Sequence, residues 1–459
     1  MWTTRLAGCS LGVAFAALAS FSAPDRAVAQ VPLGSQFQVN TYTPNLQDRP
    51  NVAALANGDF VVVWESYVTS NRDGGAYSIE GQRFASDGTA LGSEFQVDTE
   101  TIYNQTPIVA AGASGDFVVV WSSYGAAGGD NSNWSIHARR YASDGTALSS
   151  EFQVNTYTTG YQVQPAVAAR ADGGFVVVWE SAGSYGTDTS NSSVQGQRYA
   201  SDGTAEGSEF QVNSYTTGGQ LVPAVASTAA GDFVVTWAGT SPSDPYSFSV
   251  QAQRFASDGV TQGGQFQVNT YTTGIQFASA IAELPSGDFV VAWESKGSSG
   301  GDTSFWSIQG RRYASDGTAL GDQFQVNTFT TGYQRGPSVA AVDGGDFVVV
   351  WSNVSYADVR ARRYSSDGTA HGSDLIVGYS AVGPSLAPLS NGNYVVAWAG
   401  HSYGSDLDTS IQAQRYLPEP DAAFSLGAGM GLIASLRARR GRVRQPWRPG
   451  QESNLRPPA

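Results

Sequence analysis

A chain of 459 residues with a formal net charge of −14 and one cysteine, Cys9, is neither a disulfide-stapled module nor a protein with thiol chemistry in its body. Residues 1–29 carry a net +1 and residues 418–459 a net +4, which leaves −19 on the stretch between. A surface that acidic repels phosphate backbones and excludes nucleic acid as a partner, while it suits solubility outside the cell or cation binding.

In chain order, Arg5 is followed by an apolar run from Leu11 to Phe21 and by Ala27-Val28-Ala29. This is the pattern of a secretory signal peptide, residues 1–29, with Ala27 and Ala29 marking cleavage before Gln30. Leu6-Ala7-Gly8-Cys9 precedes the apolar run instead of following it, so lipidation of Cys9 is not expected.

From residue 30 to 417 the chain repeats. GDFVVVWES (58–66) returns in six further versions, centred on Trp121, Trp179, Trp237, Trp293, Trp351 and Trp398. The first five steps of Trp spacing are 56–58 residues and the last is 47. Each unit holds four strand-like runs, here named A to D. In the second unit they are PIVAAG (107–112), DFVVVWSS (116–123), SIHARRYA (135–142) and EFQVNTYT (151–158). Four short strands per unit and seven units predict an all-β fold, a seven-bladed β-propeller of four-stranded blades. The array opens with a lone D-type strand at Phe37–Asn40 and ends on a C-type strand, SIQAQRY (410–416). The N-terminal strand is therefore expected to complete the last blade, which removes an exposed sheet edge. Strand B is apolar on both faces and needs cover on both, so the seven Trp read as spacers between blades.

With strand A innermost, the A–B and C–D hairpins share one face of the disc. The B–C loops and the D–A crossovers share the other. The C–D hairpin reads SDGT, and its Asp residues, Asp87, Asp144, Asp202, Asp258, Asp316 and Asp367, read as turn formers and not as a metal array. Arg83, Arg140, Arg198, Arg254, Arg312, Arg363 and Arg415 recur in strand C, and each needs an acid or carbonyl partner. Asp59, Asp116, Asp232, Asp288 and Asp346 are the candidate acids.

The B–C loops are rich in Gly, Ser and Asp, with Tyr77, Trp134, Phe248 and Trp306 just before strand C. The crossovers, of the type NTYTTGYQ, add Tyr157, Gln162, Tyr271, Gln276 and Gln334. Rings that stack on sugars beside amides that bond hydroxyls make these the candidate residues for an extracellular polysaccharide; packing between blades is the other reading of the same residues. Asp130, Asp188, Asp302, Asp406 and Asp408 are candidate ligands for calcium, the one cofactor the loops suggest, although no known calcium-loop motif is matched. No catalytic residue is assigned. His137, His371 and His401 do not share a repeat position, no nucleophile motif occurs, and Glu65, Glu180 and Glu294 read as solvated strand ends.

Past residue 417, Pro418-Glu419-Pro420 is followed by the apolar run 421–436 and the basic run RARRGRVR (437–444). This end resembles the PEP-CTERM sorting signal, carried here by Pro418, Glu419, Pro420, Arg437, Arg439 and Arg440. The resemblance implies transient inner-membrane anchoring through 421–436, an exosortase-type processing protease as partner, and release to the cell surface or matrix of a Gram-negative bacterium. Residues 445–459 extend past the usual end of such signals and read as an atypical tail. Together these features predict a secreted, non-catalytic surface or matrix propeller that binds polysaccharide or protein partners. The alternative is a propeller glycoside hydrolase or lyase acting on exopolysaccharide.

Overall fold

In a computed structural model the described residues are 30–417 apart from 69–75, 100–102, 126–132, 242–243, 303–304, 390–391 and 402–408. The signal-peptide and sorting-signal expectations lie outside the described residues. Among those described, no helix is long and apolar enough to cross a membrane.

Seven antiparallel four-stranded sheets form the ring expected from the repeats. Blades 1 to 6 run over 47–96, 104–153, 162–211, 220–267, 276–325 and 334–379. Within each, strands A to D pair in chain order. Blade 7 takes strands A to C from 381–416 and its outer strand from Pro32–Gln38, which pairs with Thr409–Tyr416. The inner strands touch their neighbours all the way round, including Gln47–Ala54 against Ala381–Pro388, so the two ends of the array close on each other.

The core lies in the seams. Phe60, Val62 and Trp64 pack against Val395, Ala397 and Ile411 of blade 7, while Val61 and Val63 pack against Val119 and Trp121 of blade 2. All seven spacer Trp are fully buried. Trp64, Trp237 and Trp293 donate their Nε1–H to Gln47, Gln220 and Gln276 at 2.8–3.1 Å, which pairs the one polar atom each ring brings inside.

Strand A carries a bulge in every blade, between Asp48 and Asn51 in the first. At that point φ is positive for Arg49, Thr106, Gln164, Val222, Ala278, Gly336 and Gly383, with values of 46–60°. A proline follows six of the seven, Ser279 being the exception. Proline cannot donate to the sheet ladder, and a bulge is a position that tolerates it. Left-handed Thr106 and Val222 are strained, since β-branched side chains disfavour that region.

The outer strand ends in an asparagine whose Oδ1 accepts the N–H at the centre of strand C: Asn40 from Ile411, Asn155 from Ile136 and Asn269 from Val250, all at 2.7–2.8 Å. Blade 1 has Asp98 there, accepting from Ile79 at 2.7 Å and from the Asn104 amide at 2.8 Å. Burial pushes the Asp98 carboxyl up to about 6 despite those donors. Because the folded value lies above the ordinary one near 3.9, this site contributes its full stability below about pH 4 and loses it as pH rises through 6. Asp98→Asn, the residue of the other blades, should therefore raise the unfolding free energy by on the order of 2 kcal/mol at pH 8 and by little at pH 4. Chemical denaturation at the two pH values checks it; an equal gain at both would remove the titration argument.

Candidate functional site: the aromatic loop face

The two faces of the disc use their polar groups differently. On the hairpin face each Asp-Gly aspartate of the C–D hairpins caps its own turn, as Asp144 does by accepting the Thr146 N–H at 2.8 Å, and such bonds hold the exposed carboxyls of Asp87, Asp144, Asp202, Asp316 and Asp367 below the usual range. The repeated arginines reach across the seam to the backbone of the next hairpin. Arg140 donates to Asp202 O at 2.6 Å, Arg198 to Ser257 O at 2.9 Å and Arg254 to Asp316 O at 2.6 Å. Arg83 and Arg312 do the same to Asp144 and Asp367, and Arg415 of blade 7 closes the ring on Ser86 O at 2.8 Å. Of the two expected partners, acid or carbonyl, six blades use a carbonyl in place of the candidate strand-B aspartate. Arg198 pairs in addition with Glu206 at 3.2 Å, and Arg363 is the one that pairs with a candidate strand-B acid, Asp346 at 3.0 Å. Its neighbour, blade 7, has no C–D hairpin because its outer strand comes from the other end of the chain.

A cavity of about 540 Å³ opens on this same face between blades 4 and 5, lined by Asp232, Arg254, Gln262 and Glu283. Its polar groups bond one another: Arg254 to Gln262 at 2.8 Å and Gln262 to Asp232 at 3.0 Å.

The loop face is built from B–C loops bonded to the crossovers beside them, as in Tyr124 N to Tyr103 O at 3.1 Å and Val354 N to Tyr333 O at 2.9 Å. Every exposed aromatic side chain among the described residues is here: Tyr42, Tyr103, Tyr124, Tyr161, Tyr185, Phe305, Tyr333, Tyr356 and Tyr379. Of the exposed aliphatics, Leu148, Val260 and Leu320 sit beside the C–D hairpins, while Val354 lies on the loop face.

Of the residues singled out in the sequence, Tyr77, Trp134, Phe248 and Trp306 are half-buried on this face, each against a second ring or a cation. Tyr77 packs on Tyr67 with centroids 5.0 Å apart, Trp134 on Tyr124 at 5.6 Å and Phe248 on Phe277 at 6.0 Å. Trp306 lies under the Arg335 guanidinium, 4.4 Å from its centroid. Tyr157 and Tyr271 turn their hydroxyls onto Gly183 and Gly297, where an added Cβ would come within 2.7 Å. Gln162, Gln276 and Gln334 are closed to solvent. Their amides serve the crossovers: Gln162 bonds Asn155 and Thr159 O, Gln276 bonds Trp293, and Gln334 bonds Thr331 O. In this conformation these three cannot meet a polymer at the surface. Crossover residues the sequence did not single out, Tyr42, Tyr103, Tyr161 and Tyr333, are the ones that point outward. The repeat itself hid two of them, because Tyr103 sits in a divergent crossover and Tyr333 shares the motif with the buried Gln334.

The acids after the spacer Trp are a second departure. Glu65, Glu180 and Glu294 are buried, at 3%, 8% and 5% exposure, and are not solvated strand ends. Each turns into the seam and accepts the N–H of the bulged residue in the next blade: Thr106 for Glu65, Val222 for Glu180 at 3.4 Å, Gly336 for Glu294 at 2.7 Å. Burial raises all three carboxyls, against the lowering effect of Arg49 on Glu65 and of Arg335 on Glu294. Among the described residues no cation offsets the burial of Glu180; only the Val222 N–H and the Ser192 hydroxyl lower it.

Asp130, Asp406 and Asp408 lie outside the described residues. Asp188 and Asp302 are buried, and each accepts at 2.7 Å from the asparagine that ends strand D, Asn213 and Asn327. No group of three or more metal-binding side chains occurs among the described residues.

The backbone course is similar to that of several solved structures: an alpha-L-arabinanase of Penicillium chrysogenum complexed with arabinobiose (15% identity, 83% of this chain and 98% of that one, TM-score 0.49), the polysaccharide lyase Uly1 (10%, 87% and 96%, 0.49) and a protein of unknown function from Dyadobacter fermentans (12%, 86% and 100%, 0.48). No protein-family model and no curated protein matches the sequence. Likeness at these identities bears on chain course and not on chemistry. The class defined here is a closed seven-bladed propeller with one aromatic face.

Asp302→Ala should leave the Asn327 amide short of its acceptor and lower stability by about 1–3 kcal/mol. Thermal melts should show the same loss in calcium and in chelator. A loss confined to the calcium sample would instead make Asp302 a metal ligand.

Proposed function

We propose that this protein is a secreted propeller whose loop face binds extracellular polysaccharide. The observation that carries the reading is the one-sided placement of the nine exposed aromatic rings. Flat apolar rings left in water, flanked by Asn, Thr and Ser in the crossovers, match the alternating C–H faces and hydroxyls of a sugar chain. The opposite face has its charged groups bonded across the seams and presents no comparable ring. The location proposed is the cell surface or matrix, on the strength of the signal-peptide pattern in 1–29 and the tripartite end at 418–444, with an exosortase-type protease releasing the chain.

One observation favours a second reading, hydrolysis or lyase chemistry on the same face. Glu180 is a buried acid raised by desolvation, with only the Val222 N–H and the Ser192 hydroxyl to lower it, and upward is the direction in which a general acid is tuned.

The test is a polysaccharide array and affinity electrophoresis on the full secreted chain, with reducing-end and ultraviolet assays for cleavage. Binding is expected, and Phe305→Ala with Tyr333→Ala should weaken it about tenfold. The same change at Leu148 and Leu320 on the other face should leave it unaltered. Unchanged binding in the ring double variant would count against the loop face. Product release lost in Glu180→Gln would turn the assignment to the enzymatic reading.

A further inference from the structure

The loop face is not sevenfold at the seam between blades 5 and 6. At six seams the second residue of strand A is Asp48, Gln105, Val163, Leu221, Phe277 or Val382; here it is Arg335. Its guanidinium lies 4.4 Å above the Trp306 ring and its Nε donates to Glu294 Oε2 at 3.1 Å. The other oxygen of Glu294 accepts the Gly336 N–H at 2.7 Å. The acid is therefore buried with both oxygens engaged on the protein side, at 6% side-chain exposure, while Arg335 stays 45% exposed. Stacking and the single bond fix the plane of the guanidinium and leave its outer edge facing solvent.

A second cation stands next to it. Lys296, the only lysine of the chain, pairs in register with Trp306 across strands B and C. Directly paired residues put their side chains on the same side of a sheet, so the exposed ammonium rises beside the Trp306–Arg335 stack. Phe305 and Tyr333 complete the group, 5.7 Å apart and 63% and 40% exposed. Among the described residues no other seam joins exposed rings to two outward cations. Arg49, the other exposed arginine at a bulge, is bonded to Glu65 at 3.0 Å and lies over no ring.

We infer that the blade 5–blade 6 seam is a subsite for an acidic sugar, a uronate residue within a polysaccharide, with Arg335 and Lys296 on its carboxylate and Phe305 and Tyr333 against its ring. A planar guanidinium already held in place suits a carboxylate's two oxygens, and little side-chain freedom remains to be lost on binding. The surrounding body carries −19, so a polyanion is repelled over most of the surface and is held where cations and rings coincide. This inference rests on the polysaccharide reading above and narrows it to a class of sugar.

The full secreted chain would be titrated with polygalacturonate and alginate, each native and carboxyl-reduced. The native polymers should bind about tenfold more tightly than their reduced forms. Lys296→Gln, an exposed change remote from the core, should shrink that preference several-fold, and Arg335→Gln should abolish it. Arg335→Lys, which keeps the charge but not the fork, should restore it only in part. Equal binding of native and reduced polymers by the unaltered protein, or a preference untouched by Lys296→Gln and Arg335→Gln, would overturn the uronate subsite while the polysaccharide reading stands. Failure of every polymer to bind would overturn both.

Discussion

An inner blade strand that is apolar on both faces cannot be satisfied by its own sheet. Val61 and Val63 need blade 2, and Phe60, Val62 and Trp64 need blade 7, so each sheet is stable only between two others. A row of such sheets leaves two open ends, and closing it into a ring removes both. The constraint then falls on the chain ends, which must meet in one blade. Strand Pro32–Gln38 pairing with Thr409–Tyr416 is the direct consequence, and Arg415 on Ser86 O repeats across that junction the bond made at five other seams.

Ring closure also divides the labour between the faces. C–D hairpins with the same Asp-Gly tip occur in six blades and can be joined by one repeated arginine–carbonyl bond. The place where this fails shows how it works: Arg363 faces a blade without a C–D hairpin and turns to Asp346, with His371 3.6 Å from the same oxygen. The loop face has no such fixed geometry. Its B–C loops differ in sequence from blade to blade, and those of blades 3 and 5 are anchored by Asp188 and Gln211 and by Asp302 and Gln325.

The fold was legible because seven copies of one pattern average out local ambiguity, and because the orphan D-type strand at Phe37–Asn40 left only one way to close. The turn role of the SDGT aspartates was legible for the same reason, since Asp-Gly between strands has a local physical meaning. What the sequence hid depends on neighbours two strands or one blade away. Gln162 and Gln276 look like surface amides until the crossover folds them onto Asn155 and Trp293. Glu65, Glu180 and Glu294 look solvated because they follow the last apolar residue of the strand, yet the bulge of the next blade covers them. Strand alternation places such a side chain in a seam, but only the neighbouring backbone decides whether the seam is open there.

That bulge explains why acids occur beside the spacer Trp at all. A left-handed residue ahead of a proline has an N–H directed out of its own ladder, and a buried N–H without an acceptor is costly. The preceding blade supplies the acceptor: Glu65, Glu180 and Glu294 in three seams, and the Ser352 hydroxyl to Gly383 N at 2.9 Å in a fourth. The acids are thus accounted for as parts of the ring before any chemistry is asked of them. Two then acquire an arginine, Arg49 or Arg335, which commits the carboxylate and lifts a guanidinium to the rim. The third, Glu180, is held by its longest bond, 3.4 Å to Val222 N, and by no cation. One structural device therefore has two forms on the same face, a displayed cation where the acid is paired with arginine and a buried acid held only by neutral donors where it is not.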